Sequence, residues 1–456
     1  MPQTVLENTP AARLDRLPVL GWHRGLTVLV GLGSFFDLYE VFLGGVLAAV
    51  LAERWHLDAT GKALVIGSAF AGMFVGANLM SALADRIGRR RVFMINLAGY
   101  SLLSVVAAFS PNLGFFVVVR FLCGIGIGSE LVLVDTYLAE FLPRAVRGRY
   151  ISWAYVVGFL GVPVAALFGA RAVAKQQILG LEGWRWLLIA GGLGALVVLL
   201  VRRRLPESPR WLLTHGRAAE AETVVAGLER RAGVTTPAAP PPAVAAATEP
   251  ERRVPVRSLF GPDHRRRTVM LMILNILQTV GYYGFGTLAP LVLTAKGYTV
   301  TSSLGYSALA FCGYPLGALL AVPIMERFER KRLIIGAVIA IAAFGLVFGF
   351  AGNVVLIVLA GFLLTVSSNV FSNAYHTYQA EIFPTAVRST GVGMCYSLSR
   401  AVSALLPFLA VPALERFGPV AVFSGSAVIM VLLCLDVGLL GPRTTGRSLE
   451  AVSGDD

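Results

Sequence analysis

The sequence predicts an all-α membrane protein whose twelve transmembrane helices form two tandem halves of six helices each. Three observations predict this fold: a strongly apolar composition, apolar runs of membrane-spanning length, and two motifs that recur at one offset. Of the 456 residues, 56% are hydrophobic and only 14% are charged. A soluble domain carries roughly 25% charged residues, and a larger core does not account for the difference.

Each apolar run is close to the roughly 20 residues that a helix needs to cross a bilayer. We predict spans 1 to 12 at residues 25–51, 62–84, 91–110, 114–140, 150–171, 184–202, 267–294, 302–325, 331–350, 353–380, 389–413 and 418–440. The predicted organisation is an N-terminal segment (1–24), a first half (25–202), a linker with short helices (203–266), a second half (267–441) and a tail (442–456). Within the linker, the Ala/Pro-rich stretch 235–250 is typical of a flexible tether.

The basic residues indicate how the chain crosses the membrane. Arginines cluster in the hairpins after spans 2, 4 and 8, whereas the loops at 111–113 and 351–352 contain no Lys or Arg. Short cytoplasmic loops carry such an excess of Lys and Arg. We therefore expect both termini and the linker in the cytoplasm, in a multi-pass protein of the inner (plasma) membrane. Because the arginines lie mostly in these clusters, the net charge of +13 does not indicate a nucleic-acid partner.

Motifs of catalysis and cofactor binding are missing from the sequence. The four cysteines lie far apart within apolar runs, which indicates neither a disulfide framework nor a metal site. Gly124, Gly126 and Gly128 follow no predicted strand and precede no Lys-Ser/Thr pair. They indicate close helix packing and not a phosphate loop. We expect no enzyme activity, no cofactor and no metal.

An internal repeat supports the division into halves. At an offset of 241 residues, the segment 76–91 aligns with 317–332, and the segment 139–147 aligns with 380–388. Two separate matches at one offset indicate a duplication. An even number of spans returns the chain to its starting side, so the halves are predicted to be parallel repeats.

The loop Asp85-Arg86-Ile87-Gly88-Arg89-Arg90-Arg91 resembles the signature between spans 2 and 3 of the major facilitator superfamily. Two further segments, Gly183-Trp184-Arg185-Trp186 and Pro206-Glu207-Ser208-Pro209-Arg210-Trp211-Leu212, resemble its sugar-porter and organic-ion group. The resemblance covers nearly the whole chain. It implies a secondary transporter that moves a small solute by alternating access.

Features of the hexose carriers are mostly missing. Leu277 precedes Gln278 where such carriers have paired glutamines, and His376 stands where they have a tryptophan. The segments 278–284 and 396–400 are more similar to bacterial metabolite–proton symporters and to synaptic-vesicle-protein relatives. The resemblance therefore favours a solute other than sugar.

Ionisable groups within spans are costly to bury, so each is a candidate for function. Asp37 and Glu40 are three residues apart on span 1, which places both on one helical face. Carboxylates so placed raise one another's pKa, which suits loading and release of a proton. Both are predicted proton-coupling residues, with Asp37 first. The alternative is a structural pair.

Arg400 on span 11 is the leading candidate for binding a carboxylate, because a guanidinium takes both carboxylate oxygens. The alternatives are that Arg400 pairs with an intramembrane acid such as Asp37 or serves as a gate of the second half. Polar and aromatic residues of spans 7, 10 and 11 are predicted to complete the substrate site: Gln278, Tyr282, Tyr283, Asn369, Asn373, His376 and Tyr396. Span 4 adds three charged candidates: Arg120, Glu130 and Asp135.

Charged residues of the predicted cytoplasmic loops form a further set. The resemblance implies that they make ion pairs that close the inside of the carrier. The first half and the linker contribute Asp85, Arg86, Arg90, Glu140, Arg147, Glu207 and Arg210. The second half contributes Glu326, Arg327, Lys331, Glu381 and Arg388. The acids in this set favour a gate, since topology alone depends on Lys and Arg.

The preferred hypothesis is a proton-coupled symporter of a small organic acid, aromatic or nicotinate-like. A proton-coupled sugar transporter, an organic cation or drug exporter that uses Glu130 and Asp135, and a non-transporting membrane sensor remain alternatives. The expected partners are the solute, protons and the lipid bilayer, and the expected state is a monomer.

Overall fold

The computed structural model describes residues 10–143, 146–175, 177–234, 259–383 and 385–442. Within them, eleven helices are long and apolar enough to cross a membrane. The last runs from Thr385 to Leu440, but its backbone leaves the helical region at Gly418, so it contains two spans. This confirms the predicted all-α class.

The first half contains spans 1 to 6. They are Gly21–Arg54, Ala59–Ile87, Arg89–Ala108, Leu113–Phe141, Arg147–Ala174 and Gly183–Arg202. Span 4 is interrupted at Ser129 and span 5 at Leu160. A two-residue strand pair, Gln177–Ile178 with Leu181–Glu182, joins spans 5 and 6.

The second half contains spans 7 to 12. Span 7 has three pieces, the α-helix Pro262–Thr279, the π-helical turn Val280–Gly284 and the α-helix Phe285–Ala295. Span 8 comprises Val300–Phe311 and Gly313–Arg327, span 9 is Arg330–Phe350 and span 10 is Val354–Glu381. Spans 11 and 12 lie on either side of Gly418.

Polar residues define several span ends. The Asp58 side chain accepts a hydrogen bond from the Gly61 amide at 2.7 Å, and Asn112 accepts one from Phe115 at 3.0 Å. Such N-caps satisfy amides that have no partner inside the helix. Gly88 between spans 2 and 3 and Gly418 between spans 11 and 12 have positive φ, which glycine adopts without steric cost.

Small residues bring the spans close together within each half. Gly72 of span 2 and Gly124 of span 4 lie against each other, and a Cβ on either would overlap backbone atoms of the opposite helix. Gly317 of span 8 packs against Val366 and Asn369 of span 10 in the same way. Helices in lipid associate through such close packing, because burial from lipid gives little hydrophobic gain.

We call the end of the bundle where the chain enters span 1 and leaves span 12 the terminal face, and the other end the far face. The two halves meet near the far face. Gly45 of span 1 lies against the Thr287 backbone of span 7, and Lys62 of span 2 pairs with Glu415 of span 11 at 2.6 Å. Nearer the middle, the rings of Phe159 and Tyr314 stack at 5.7 Å.

The linker and the N-terminal helix Pro10–Arg16 pack on the terminal face of the first half. The linker forms the short helices Pro209–Thr214 and Ala218–Ala232. Arg13 pairs with Glu222 at 2.8 Å and with Glu229 at 2.5 Å, and the Trp211 indole donates to the Asp85 carbonyl at 3.0 Å. The predicted tether at 235–250 lies outside the described residues.

Candidate functional site

The first of three buried polar groups joins spans 1 and 4. Glu40 Oε2 lies 2.5 Å from Arg120 Nη1, and Arg120 Nη2 donates to the Glu40 carbonyl at 2.9 Å. The Ser104 hydroxyl donates to the other Glu40 oxygen. Neither Glu40 nor Arg120 has any solvent exposure. A fully buried pair of this kind depends on both partners, because either charge alone is costly in the interior.

The second group contains Asp37, which lies about one helical turn before Glu40 on span 1. Arg202 of span 6 pairs with Glu130 of span 4 at 2.5 Å and donates to the Val30 carbonyl at 3.0 Å. Asp37 is fully buried beside Glu130 and Tyr100. Within the described part of the chain, neither Asp37 carboxylate oxygen has a hydrogen-bond partner.

These two groups hold an unequal number of charges. The carboxylates of Asp37, Glu40 and Glu130 face the guanidiniums of Arg120 and Arg202, and all five side chains are buried. One negative charge is therefore in excess, which is costly in a medium of low dielectric constant. A single proton neutralises the excess. Among the described residues, both Asp37 oxygens and Glu130 Oε2 have no hydrogen-bond partner, so Asp37 is the carboxyl group with two free oxygens.

The third group surrounds Arg400 on span 11. Arg400 Nη1 donates to the Tyr283 hydroxyl at 2.6 Å, and Nη2 donates to the Tyr396 hydroxyl at 2.5 Å. The guanidinium carbon lies 5.1 Å and 5.0 Å from the centroids of these two rings. Arg400 is 1% exposed, and its Nε has no hydrogen-bond partner among the described residues. Since both bonds go to neutral phenols, the positive charge remains available to an anion.

Aromatic rings from both halves enclose this arginine. Phe70 of span 2 meets the Tyr283 ring edge-on at 5.3 Å, and Tyr282 meets Tyr283 at 4.8 Å. The π-helical turn Val280–Gly284 places the two adjacent tyrosines, and such turns often occur at functional sites. Walls of this kind favour contact with a flat ring, because aromatic pairs favour stacked and edge-on contacts.

Asp135 completes the site from the side of the first half. It is half-buried on span 4 and has the Tyr155 hydroxyl of span 5 as its hydrogen-bonding neighbour. Across the interface, His376 keeps accessible surface although it lies against Tyr375 and Tyr396 inside the bundle. These residues lie in the terminal half of their spans, so this side of the site lies toward the terminal face.

The predicted carboxamide candidates of span 10 are engaged with backbone groups. Asn369 Nδ2 donates to the Tyr314 carbonyl at 2.8 Å, and Asn373 Nδ2 donates to the Asn369 carbonyl at 2.9 Å. The His376 Nδ1 lies 3.1 Å from Gln379 Nε2, and Gln278 of span 7 is 5% exposed. These groups shape the wall of the site, whereas Arg400 Nε and Asp135 Oδ1 have no hydrogen-bond partner in the part of the chain that the structure describes.

The structure separates two predicted substrate residues from Arg400. Arg120 and Glu130 are predicted candidates for the substrate site, but each is sealed in an ion pair with a different partner, Glu40 and Arg202 respectively. The prediction missed Arg202, because it stands at the very end of span 6, where an arginine also fits a cytoplasmic boundary. In this conformation, Arg120 and Glu130 belong to the interior of the first half and not to the aromatic site.

The terminal face carries the predicted gate residues. Arg89 pairs with Glu140 at 3.0 Å, and Arg330 pairs with Glu381 at 3.7 Å. These two pairs are equivalent at the offset of 241 residues, so the duplication extends to the ion pairs. The prediction did not include Arg89 and Arg330 among the gate residues, although their equivalent positions in the repeated loop indicate a shared role.

The other gate residues make contacts of several kinds. Arg90 donates to the Arg203 carbonyl at 2.6 Å, and its amide donates to Glu207 at 3.1 Å. Arg147 and Arg210 both approach Asp15, and Lys331 donates to the Gly441 carbonyl at 2.8 Å. The side chains of Asp85, Arg86 and Arg327 are exposed. The side chains of Glu326 and Arg388 lie outside the described residues.

The chain has two halves of six spans, buried ion pairs in the first half, and a buried arginine among aromatic rings where the halves meet. Together these features define a membrane transporter. The chain belongs to the family described as "Sugar (and other) transporter", whose model matches residues 27–455. It is thus a multi-pass transporter of the major facilitator superfamily and not an enzyme.

Two relatives and one solved structure illustrate the likeness. The putative metabolite transport protein YyaJ of Bacillus subtilis (strain 168) is 32% identical over 446 residues, with 96% of each chain covered. The niacin transporter NiaP of Acinetobacter baylyi (strain ATCC 33305 / BD413 / ADP1) is 30% identical over 442 residues, covering 97% of this chain and 99% of the relative. A partially occluded inward-open structure of the xylose transporter XylE from E. coli gives a TM-score of 0.74 at 22% identity, over 94% of this chain and 100% of that chain. The last likeness concerns the fold alone.

Proposed function

We propose that this transporter moves a small organic acid together with a proton. The observation that carries the proposal is Arg400, a buried guanidinium held by two phenol hydroxyls, with no carboxylate bonded to it among the described residues. A carboxylate on the solute supplies the missing anion through charge-assisted hydrogen bonds. The aromatic walls favour a flat ring, and the likeness to a niacin transporter is in keeping with a pyridine-3-carboxylate.

Proton coupling is proposed at Asp37, with the Glu40–Arg120 pair beside it. The excess negative charge of the buried cluster is removed when Asp37 binds a proton and returns when the proton leaves. Each state favours a different packing of span 1 against spans 4 and 6, because an unneutralised buried charge draws water or a counter-charge. The proton thus biases the conformation of the half that carries it.

Alternating access is proposed as a movement of the first half (25–202) against the second half (267–441) about the aromatic site. The structure has contacts between the halves near the far face, and the site extends toward the terminal face. We place both termini on the cytoplasmic side of the inner membrane, and in that orientation the proposed state is inward-facing. The Arg89–Glu140 and Arg330–Glu381 pairs then lie on the cytoplasmic side, each within one half, so they do not join the halves in this state.

Counterflow in proteoliposomes tests the solute class. Vesicles loaded with unlabelled pyridine-3-carboxylate are expected to take up the labelled compound, because exchange needs binding and reorientation but no driving force. Loading with xylose or with tetraethylammonium is expected to give no exchange of the corresponding label. Exchange of xylose alone would favour a sugar carrier, and exchange of the cation alone would favour a cation exporter that uses Asp135. A protein that exchanges nothing in this panel would leave the organic-acid proposal without support and would favour a sensor.

A further inference from the structure

A second polar group with a free atom faces the site from the first half. Within the described residues, Asp135 Oδ1 is buried and has no hydrogen-bond partner. The Tyr155 hydroxyl is its neighbour, and Tyr155 in turn lies near Tyr282 and Tyr396 of the second half. The carboxylate of Asp135 therefore faces the same aromatic enclosure as Arg400.

One phenol interacts with both charged groups. The Tyr396 hydroxyl accepts a hydrogen bond from Arg400 at 2.5 Å and also lies within electrostatic range of Asp135. The guanidinium and the carboxylate make no ion pair with each other in the described structure, and each keeps one unpartnered atom, Arg400 Nε and Asp135 Oδ1. The site thus has a positive side and a negative side, and neither neutralises the other directly.

The internal repeat relates Asp135 and Tyr155 to a pair of residues in the second half. At the offset of 241 residues, Asp135 aligns with His376 and Tyr155 aligns with Tyr396. The His376 and Tyr396 rings lie 5.6 Å apart, which matches the neighbouring positions of Asp135 and Tyr155. Each half therefore places an ionisable residue beside a tyrosine at equivalent positions. The first half supplies an acid at this position, and the second half supplies a histidine.

We propose that the site selects a small amphoteric acid, in which a carboxylate binds Arg400 and a cationic or N–H-bearing nitrogen on the opposite edge of the ring binds Asp135. This inference rests on the proposed organic-acid function and adds a second recognition element to it. Asp135 is then a specificity residue that contacts the solute. It distinguishes an amphoteric ring from a plain anion of the same size, since a buried carboxylate left without a partner costs binding energy.

Three ring compounds of closely similar size distinguish the contribution of the solute's negative charge from that of its positive charge. Benzoate carries only the anion, N-methylpyridinium-3-carboxamide carries only the cation, and N-methylpyridinium-3-carboxylate carries both. Binding of each to the purified full-length protein is measured by isothermal titration calorimetry. We expect wild type to bind the zwitterion roughly tenfold more tightly than benzoate, because the ring cation and the Asp135 carboxylate attract each other at close range. The cation is expected to bind more weakly than either acid.

The variant Asp135→Asn tests the assignment. We expect the ratio of the dissociation constants of benzoate and the zwitterion to fall to about one, because an amide has the same shape but no charge. Asp58→Asn, the same substitution at an N-cap near the far face, is the matched control and should keep the wild-type ratio. If Asp135→Asn fails to fold, Asp135→Ser serves for the same measurement.

Equal binding of benzoate and the zwitterion by wild type would overturn the two-sided site while leaving the organic-acid proposal in place. A ratio that persists in the folded Asp135 variant would overturn the role of Asp135. Failure of both acids to bind, with binding of the cation alone, would instead overturn the proposed function together with this inference.

Discussion

Replacing Arg400 by glutamine is expected to reduce the initial rate of organic-acid uptake by roughly 100-fold. Truncating one member of a buried charge pair costs about 2–5 kcal/mol, and about 2.7 kcal/mol corresponds to 100-fold. In wild type, Arg400 is anchored by Tyr283 and Tyr396 while its Nε stays free for the solute. Uptake of labelled pyridine-3-carboxylate into proteoliposomes measures the effect.

Arg400→Lys should recover only part of this loss, because a single ammonium cannot serve two phenols and a carboxylate in the geometry of a planar guanidinium. The matched control is Arg171→Gln, which changes an exposed arginine of span 5. It should transport at the wild-type rate. Wild-type uptake by a correctly folded Arg400→Gln variant would show that the solute carboxylate binds elsewhere.

Asp37→Asn is expected to abolish accumulation of the solute against its gradient while exchange continues. With one proton per solute anion, a gradient of one pH unit supports up to about tenfold accumulation, since 1.4 kcal/mol is a factor of ten. The asparagine resembles a permanently protonated Asp37 and releases no proton, so the expected accumulation ratio is about one. The experiment compares accumulation with counterflow in the same vesicles.

Glu40→Gln provides the contrast on the same helix. The Glu40→Gln substitution leaves Arg120 buried without its carboxylate, which costs about 3–5 kcal/mol of stability. Asp37→Asn breaks no such pair, because Asp37 has no hydrogen-bond partner among the described residues. We expect Glu40→Gln to lower the thermal unfolding temperature and Asp37→Asn to leave it nearly unchanged. The contrary result has two parts: Asp37→Asn accumulates solute as wild type does, and a stable Glu40→Gln variant exchanges solute without accumulating it. That result would assign the proton to Glu40.

The sequence predicts the spans well, because the cost of burying polar groups in lipid leaves a long apolar run at each crossing. The observed bounds differ from the predicted ones mostly by a few residues. The largest difference is in span 7, which begins at Pro262 and not at 267, because the arginines of its first turns extend the helix beyond the apolar run. The π-helical turn at Val280–Gly284 has no sequence signal that we recognise, although it positions Tyr282 and Tyr283.

The partners of the buried charges were harder to predict than their presence. Spacing along span 1 places Asp37 and Glu40 on one face, but it does not show that Glu40 pairs with Arg120 while Arg202 pairs with Glu130. These partners are set by the crossing of spans 1, 4 and 6, which depends on the tertiary packing of small residues. The assignment of Arg400 to solute and of Asp37 to the proton stays a prediction.

Proton movement driven by the solute tests the coupled mechanism most directly. Proteoliposomes that contain a pH-sensitive dye receive external pyridine-3-carboxylate at equal internal and external pH, and protein-free liposomes correct for passive entry of the neutral acid. Symport predicts acidification of the lumen beyond that control, at a rate that follows solute uptake. Rapid exchange of labelled solute by wild type, with no proton movement above the protein-free control, would contradict it.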